Sequence, residues 1–386
     1  MRKYIKLHST SKPKNLAYLV VLQTNHKASP DFLQESEKEM RELARAAAVQ
    51  VLGAAKSKIF EPSPSHFIRQ GKLETILVEA KTAGANCLLF NVDLTPVQVR
   101  NIEQFGKIPA LDRTGLILDI FGKRAKSKEG QLQVELAKLQ YALPRIGGLG
   151  GVMSRLGGGV GTRGPGEQEL ERDRRKFRGR IERIKDELKD VRKHRQLLRE
   201  GRKKKRMTTV ALVGYTNAGK STLLNALTGA GTYVEDKMFA TLDPKTRAQN
   251  LHGYPNILFI DTVGFLRDLP HTLVESFHAT LEEVIEADIL IHVLDASHAK
   301  SHELYSAVIQ VLKDIGADEK PQILALNKTD LLDDVEFSAV QKEWPDGIFV
   351  SAKESKGLHN LMNEITRRLQ TDLNLRRLPY PLKNDS

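Results

Sequence analysis

Gly214-Tyr215-Thr216-Asn217-Ala218-Gly219-Lys220-Ser221 follows a β-branched apolar run, Thr208–Val213. It matches G-x-x-x-x-G-K-[ST] with a strand before it and a helix, Ser221–Leu227, after it, which is the setting that motif requires. Backbone N–H groups in such a loop can wrap a phosphate, and the helix N-terminus behind them adds partial positive charge. Lys220 reaches toward the β and γ phosphates of a bound nucleotide. The Ser221 hydroxyl suits Mg²⁺, and Thr222 joins the nucleotide-binding set in the next position.

Three further groups stand downstream in a workable order. Asp261-Thr262-Val263-Gly264 closes the apolar run Ile257–Ile260; there a carboxylate can hold Mg²⁺ through water and the Gly264 amide can meet the γ-phosphate. Asn327-Lys328-Thr329-Asp330 follows Ile323–Leu326. The Asp330 carboxylate can accept from both N1–H and the 2-amino group of guanine, a donor pair adenine lacks. Lys328 can lie along base and ribose, while Asn327 ties its loop to the phosphate loop. Ser351-Ala352-Lys353 follows Ile348–Val350, and the Ala352 amide can approach guanine O6. Between the first two groups lies Phe239-Ala240-Thr241-Leu242-Asp243-Pro244. Thr241 is assigned to Mg²⁺ and the γ-phosphate, with Thr246 second. The metal set is therefore Ser221, Thr241 and Asp261, and the catalytic set Lys220, Thr241 and Gly264. Together they predict binding and hydrolysis of GTP.

Two positions qualify that chemistry. Phe265 stands after Gly264, where many regulatory GTPases carry a water-positioning Gln. A phenyl ring can neither orient nor polarise water, so unaided hydrolysis is expected to be slow. Asn217 has two open readings: a ligand to K⁺ beside the phosphates, or a hydrogen bond that stabilises the loop.

The elements that carry these residues occupy the last part of the chain; the rest alternates differently. Ala17–Leu22 reads as a strand and Asp31–Val51 as a helix with Asp31 as N-cap. Lys58–Phe60 is a candidate strand, Gly71–Ala83 a helix stopped by Gly84, Asn86–Phe90 a strand and Thr95–Phe105 a Thr-capped helix. Such alternation predicts βαβ units and a small parallel sheet. Gln70-Gly71-Lys72 could touch phosphate or simply start a helix. A helix is expected over 130–142. Glycines then crowd 147–166, costly to order because glycine loses the most backbone freedom. With Arg155 and Arg163 the loop could close on an anionic surface, or it could be a flexible linker. Phe177, Ile181, Ile184, Leu188, Val191 and Leu198 then follow the spacing of a heptad seam, expected to pack antiparallel on the helix around 132–143.

Charge concentrates on that second helix. Arg172–Arg206 holds 18 Lys/Arg against 6 Asp/Glu, an excess equal to the whole-chain net charge of +12. It ends in Arg202-Lys203-Lys204-Lys205-Arg206, the electrostatic footprint of nucleic-acid binding or else a solvated helix face. The single cysteine, Cys87, excludes a disulfide framework and reads as a small buried hydrophobe in a reducing compartment. The basic first fourteen residues read as a solvated arm in preference to an organellar targeting peptide. No apolar run reaches the ~18 residues of a membrane span.

Asp112-Arg113-Thr114-Gly115-Leu116-Ile117-Leu118-Asp119-Ile120-Phe121, Gly161-Thr162-Arg163-Gly164-Pro165-Gly166-Glu167 and Asp261-Thr262-Val263-Gly264-Phe265-Leu266-Arg267-Asp268-Leu269-Pro270-His271 resemble the HflX family of GTPases over nearly the whole chain. The resemblance implies an α/β architecture. An N-terminal parallel α/β domain spans 1–125, and a helical, coiled-coil hairpin with a Gly-rich loop spans 126–206. A Ras-like P-loop domain occupies 207–372 and a short tail 373–386. It further implies a cytoplasmic protein, monomeric when free, that docks on the large ribosomal subunit through rRNA and splits or rescues ribosomes under stress. Arg155, Arg163 and Arg202–Arg206 are the expected RNA contacts. Two alternatives remain: an rRNA-remodelling GTPase with RNA-chaperone action, and a non-enzymatic factor that uses GTP only for affinity while blocking subunit joining.

Overall fold

The computed structural model describes residues 15–24, 31–148, 165–204, 207–229, 238–239, 241–251, 254–267 and 278–375. They form two compact units, one within Met1–Lys193 and one made of His194–Leu269 with Phe277–Ser386.

In the first unit, β1 (Leu16–Gln23) is buried from Ala17 onward and runs parallel to both β2 (Gln50–Lys58) and β3 (Cys87–Phe90). With β4 (Ala110–Leu111) the sheet order is β2-β1-β3-β4. Helices α1 (Phe32–Ala46), α2 (Gln70–Thr82), α3 (Pro96–Gly106) and α4 (Arg113–Arg124) alternate with the strands. Thr95 caps α3 through a full capping box with Gln98, as its residue type requires. The expected long helix over 31–51 is shorter than its composition suggests. It stops at Ala46, Ala48 takes φ 55°, and Gln50–Lys58 becomes a strand despite its alanines. Pairing with β1 overrides helix propensity here. Gly53 shows why: a Cβ there would lie 2.6 Å from the Tyr18 ring of the partner strand. The strand proposed at Lys58–Phe60 is thus only the end of β2.

Helix α5 (Lys128–Ala142) and the long α6 (Pro165–Lys204) meet along Leu132 and Leu136 against Ile181, Ile184 and Leu188. Arg180 clamps Glu135 through two bonds of 2.7 Å. The middle of the seam therefore forms as spaced, while Phe177 and Val191 are only half-buried. Leu198's side chain and residues 149–164, including Arg155 and Arg163, lie outside what is described. At the root of this pair Asp112 is fully buried. It accepts from the Gly115 amide (2.8 Å), the Tyr141 hydroxyl (2.7 Å) and Arg145 Nη2 (2.9 Å). Burial still pushes its carboxyl above the ordinary range. The motif at 112–121 thus fixes the α4 start to the α5 end. Cys87 is half-buried, not fully, and burial raises its thiol to about 11.

Among the described residues the second unit forms six strands: β5 (Thr208–Val213), β6 (Lys245–Leu251), β7 (Tyr254–Asp261), β8 (Ile289–Asp295), β9 (Gln322–Asn327) and β10 (Ile348–Phe349). Their order is β10-β9-β8-β5-β7-β6, and only β6 runs antiparallel to its neighbour. Helices α7 (Lys220–Thr228), α8 (His278–Glu286), α9 (Ser301–Asp314), α10 (Asp334–Glu343) and α11 (Leu358–Leu375) connect and cover them. Leu212, Phe259, Ile291, Val293, Leu361 and Ile365 are among its core residues. The chain goes from β5 to β7 on one side and then to β8 on the other. That reversal opens a crevice at the carboxyl ends of the strands, where ligands of α/β sheets bind. Among the described residues no helix is long and apolar enough to cross a membrane.

Candidate active site

The four sequence groups converge on that crevice. Thr216, Asn217, Gly219, Lys220, Ser221 and Thr222 line one side of a cavity of about 500 Å³, with Phe239, Thr241, Thr262 and Gly264 beside them. Asn327, Lys328, Asp330, Leu331, Ala352 and Lys353 line the rest. The cavity lies at the carboxyl ends of β5, β7 and β9, whose last residues are buried.

Lys220 is 6% exposed, and its ammonium donates to the carbonyls of Gly214 (3.0 Å) and Tyr215 (2.8 Å). Burial pushes it down to about 8, with the Asp261 charge opposing. The fold therefore holds a cation where it is costly, as a site awaiting anionic ligand would. Ser221 Oγ and Thr241 Oγ1 donate to Asp261 Oδ2 at 2.6 and 2.8 Å and stand 2.8 Å from each other. Asp261 Oδ1 is buried with no hydrogen-bond partner among the described residues, and burial raises the carboxyl. Three hard oxygen donors in one triangle, one with a spare lone pair, fit Mg²⁺. Thr246 belongs to β6 opposite Ile260 and is exposed, away from this triangle.

Gly264 sits hard against the phosphate loop: an added Cβ would lie 2.8 Å from Thr216 Cα and 3.2 Å from Lys220 Nζ. Phe265 is 1% exposed, so the ring faces the interior and not the cavity. Asn217 takes φ 62° and is exposed. Its side chain makes no hydrogen bond to another described residue, which removes the loop-stabilising reading among them. Ala240 lies outside the described residues, while Leu242 is buried and Asp243 half-buried.

Asn327 performs the tie expected of it, donating from Nδ2 to the Ala218 carbonyl (2.9 Å). Its Oδ1 accepts from the Ala352 amide (3.0 Å), so the amide expected at guanine O6 is engaged by a side chain. Asp330 lines the cavity, and its Oδ1 accepts from Ser351 Oγ (2.6 Å). Lys328 takes φ 66° and pairs with Asp295 Oδ2 at 2.7 Å. Asp295, at the end of β8, was not singled out in the sequence, although an acid closing an apolar strand beside the others was the available signal. Of the basic run, Arg202–Lys204 form the last turn of α6 with side chains that are not described, and Lys205 and Arg206 fall outside.

Comparison with known proteins gives this geometry a family. Residues 34–122 match the family described as GTP-binding GTPase N-terminal, 124–202 GTP-binding GTPase Middle Region, and 209–328 50S ribosome-binding GTPase. The chain is 50% identical over 340 residues to GTPase HflX of Caldanaerobacter subterraneus, covering 87% of this chain and 77% of that one. It is 41% identical over 349 residues to GTPase HflX of Escherichia coli, covering 90% and 82%. Among solved structures, SsGBP in complex with GDP shares 26% identity at a TM-score of 0.50, over 92% of this chain and 99% of that one.

Proposed function

The chain belongs to the HflX family of GTPases, and on that premise we propose that its GTP-bound form docks on the large ribosomal subunit and splits or rescues ribosomes. What carries the proposal is the concentration of the net charge on one helix, in a chain whose GTPase unit matches a 50S ribosome-binding family. The reading is of a cytoplasmic monomer with four parts, 1–125, 126–206, 207–372 and 373–386. RNA contact would come from Arg155, Arg163 and the run Arg202–Arg206.

The cavity is assigned to GTP and GDP. Backbone amides from Gly214 to Thr222 would wrap the phosphates, and Lys220 would neutralise the β and γ oxygens. Ser221, Thr241 and Asp261 would hold Mg²⁺, which when bound spreads the charge developing on the γ-phosphate. The Gly264 amide would meet that phosphate, and a K⁺ at Asn217 would add positive charge beside it. Asp330 would select guanine. Asp330→Asn keeps an oxygen for Ser351 to donate to, so the loop should hold its shape. Losing two bonds to a charged acceptor should weaken GTP binding roughly 100-fold or more, and xanthine nucleotides, with a 2-oxo group, should bind better than GTP. A titration with unchanged GTP affinity would remove Asp330 from the site.

Sedimentation of intact ribosomes tests the larger reading. Subunits should separate when the protein and GTP are both present. Separation with a non-hydrolysable analogue as well assigns the work to binding; separation with GTP alone assigns it to hydrolysis. Ribosomes that stay intact in both conditions would overturn the splitting function.

A further inference from the structure

The segment after Gly264 is zipped onto the phosphate loop over three residues. Phe265 N–H donates to the Gly214 carbonyl (3.1 Å), and its carbonyl accepts from Thr216 N–H (2.9 Å), forming a parallel bridge between Tyr215 and Phe265. Two residues on, the Arg267 amide donates to the Tyr215 hydroxyl at 3.2 Å. The Arg267 guanidinium pairs with Glu303 of α9 at 2.8 Å. Tyr215, Phe265 and Leu266 are all buried.

We propose that Tyr215 is a positioning residue for GTP hydrolysis, and that its phenol sets the place of the Gly264 amide by holding the backbone at Arg267. This rests on assigning the cavity to GTP. A phosphate loop grips its ligand through backbone and lysine, so a tyrosine side chain in it has no phosphate to hold. Here the side chain reaches the other way, to the segment that must meet the γ-phosphate. The Tyr215 carbonyl also accepts from Lys220 (2.8 Å), so one residue touches the lysine, the bridge at Phe265 and the backbone at Arg267. Gly264 lies three residues before that last contact and packs with no room for a Cβ. A shift at Arg267 would therefore move the Gly264 amide with it. Phe265 gives the segment a buried anchor and the phenol gives it a second point, which together fix both position and direction.

The contact at stake is with the γ-phosphate, which GDP lacks, and this sets the test. Tyr215→Phe keeps the ring in place and removes only the hydroxyl. Single-turnover hydrolysis should slow about three- to tenfold, the worth of one neutral hydrogen bond. Affinity for a non-hydrolysable GTP analogue should fall while GDP affinity and thermal midpoint stay as in the parent protein. Glu303→Gln removes the charge of the ion pair at the other end of the hold and should slow hydrolysis in the same direction, by less, because this pair is partly exposed. An unchanged rate in Tyr215→Phe would overturn the proposal, as would a fall in GDP affinity that parallels the fall in rate. Lys220→Ala serves as the separate control on the site: nucleotide affinity unaltered in that variant would refute the cavity assignment itself, whatever Tyr215→Phe does.

Discussion

Lys220→Ala is expected to bring GTP hydrolysis down by at least about 10²–10³-fold, the loss seen when one preorganised charge-stabilising donor is removed. Among the described residues, the ammonium is the one cation whose burial and loop contacts both converge on the place where γ-phosphate charge would develop. It lies 6% exposed, with the carbonyls of Gly214 and Tyr215 fixing two of its three donor directions. The third remains for phosphate. Nucleotide affinity should fall as well, since the same charge meets the ground-state β-phosphate. The fold should survive, because burial already works against this charge, pushing it down to about 8. Circular dichroism and thermal unfolding check that the variant is intact, and single-turnover hydrolysis with radiolabelled GTP reads the rate. A folded variant that hydrolyses GTP at the parent rate would end the assignment of Lys220 to catalysis.

Much of this was legible in the residues, for identifiable reasons. The strands that carry the site are short apolar runs ending in an unusual polar group, and that pattern is local. Thr208–Val213 forms with the bounds expected of it, and Ile257–Ile260 and Ile323–Leu326 form with one to three residues added at each end. The hairpin seam was legible because a heptad spacing survives any surrounding charge. What escaped depends on contacts far apart in the chain. The first two residues of β2 read as the end of a helix and its last as the start of a strand, and pairing with β1 is what joins Gln50–Lys58 into one strand. The pairs Lys328–Asp295 and Asn327–Ala352, and the buried node at Asp112, join residues from different elements. The hold of Tyr215 on Arg267 is of the same kind: a phosphate-loop side chain engaged with backbone some fifty residues later. Periodicity and motif spacing contain no term for such bonds.

Large ribosomal subunits are expected to accelerate hydrolysis many-fold over the free protein, by ~10³–10⁵ if a partner supplies or aligns a missing group as in comparable GTPases. The need for a partner comes from a side chain that points away from the cavity. Phe265 follows the glycine assigned to the γ-phosphate, yet its ring is 1% exposed and serves as an anchor for the segment. Replacing it with Gln would bury an amide there without delivering it to water in the cavity, so this position cannot restore a water-orienting group. The sequence supplies no Gln in its place, and the cavity-lining residues Thr216 and Asn217 offer only a hydroxyl and an exposed amide. A docking surface can close the cavity, exclude bulk water and fix the switches, which raises the value of every charge already present. Single-turnover hydrolysis at saturating GTP, with and without purified large subunits, measures the effect directly. Equal rates would refute activation by the partner and return catalysis to groups within the chain. Asn217 would then be first in line, and comparing rates in K⁺ and in Na⁺ would separate a cation beside the phosphates from a side chain acting alone. Acceleration that vanishes when Arg202–Arg206 are neutralised, with GTP affinity unchanged, would place the same basic run in the contact that delivers it.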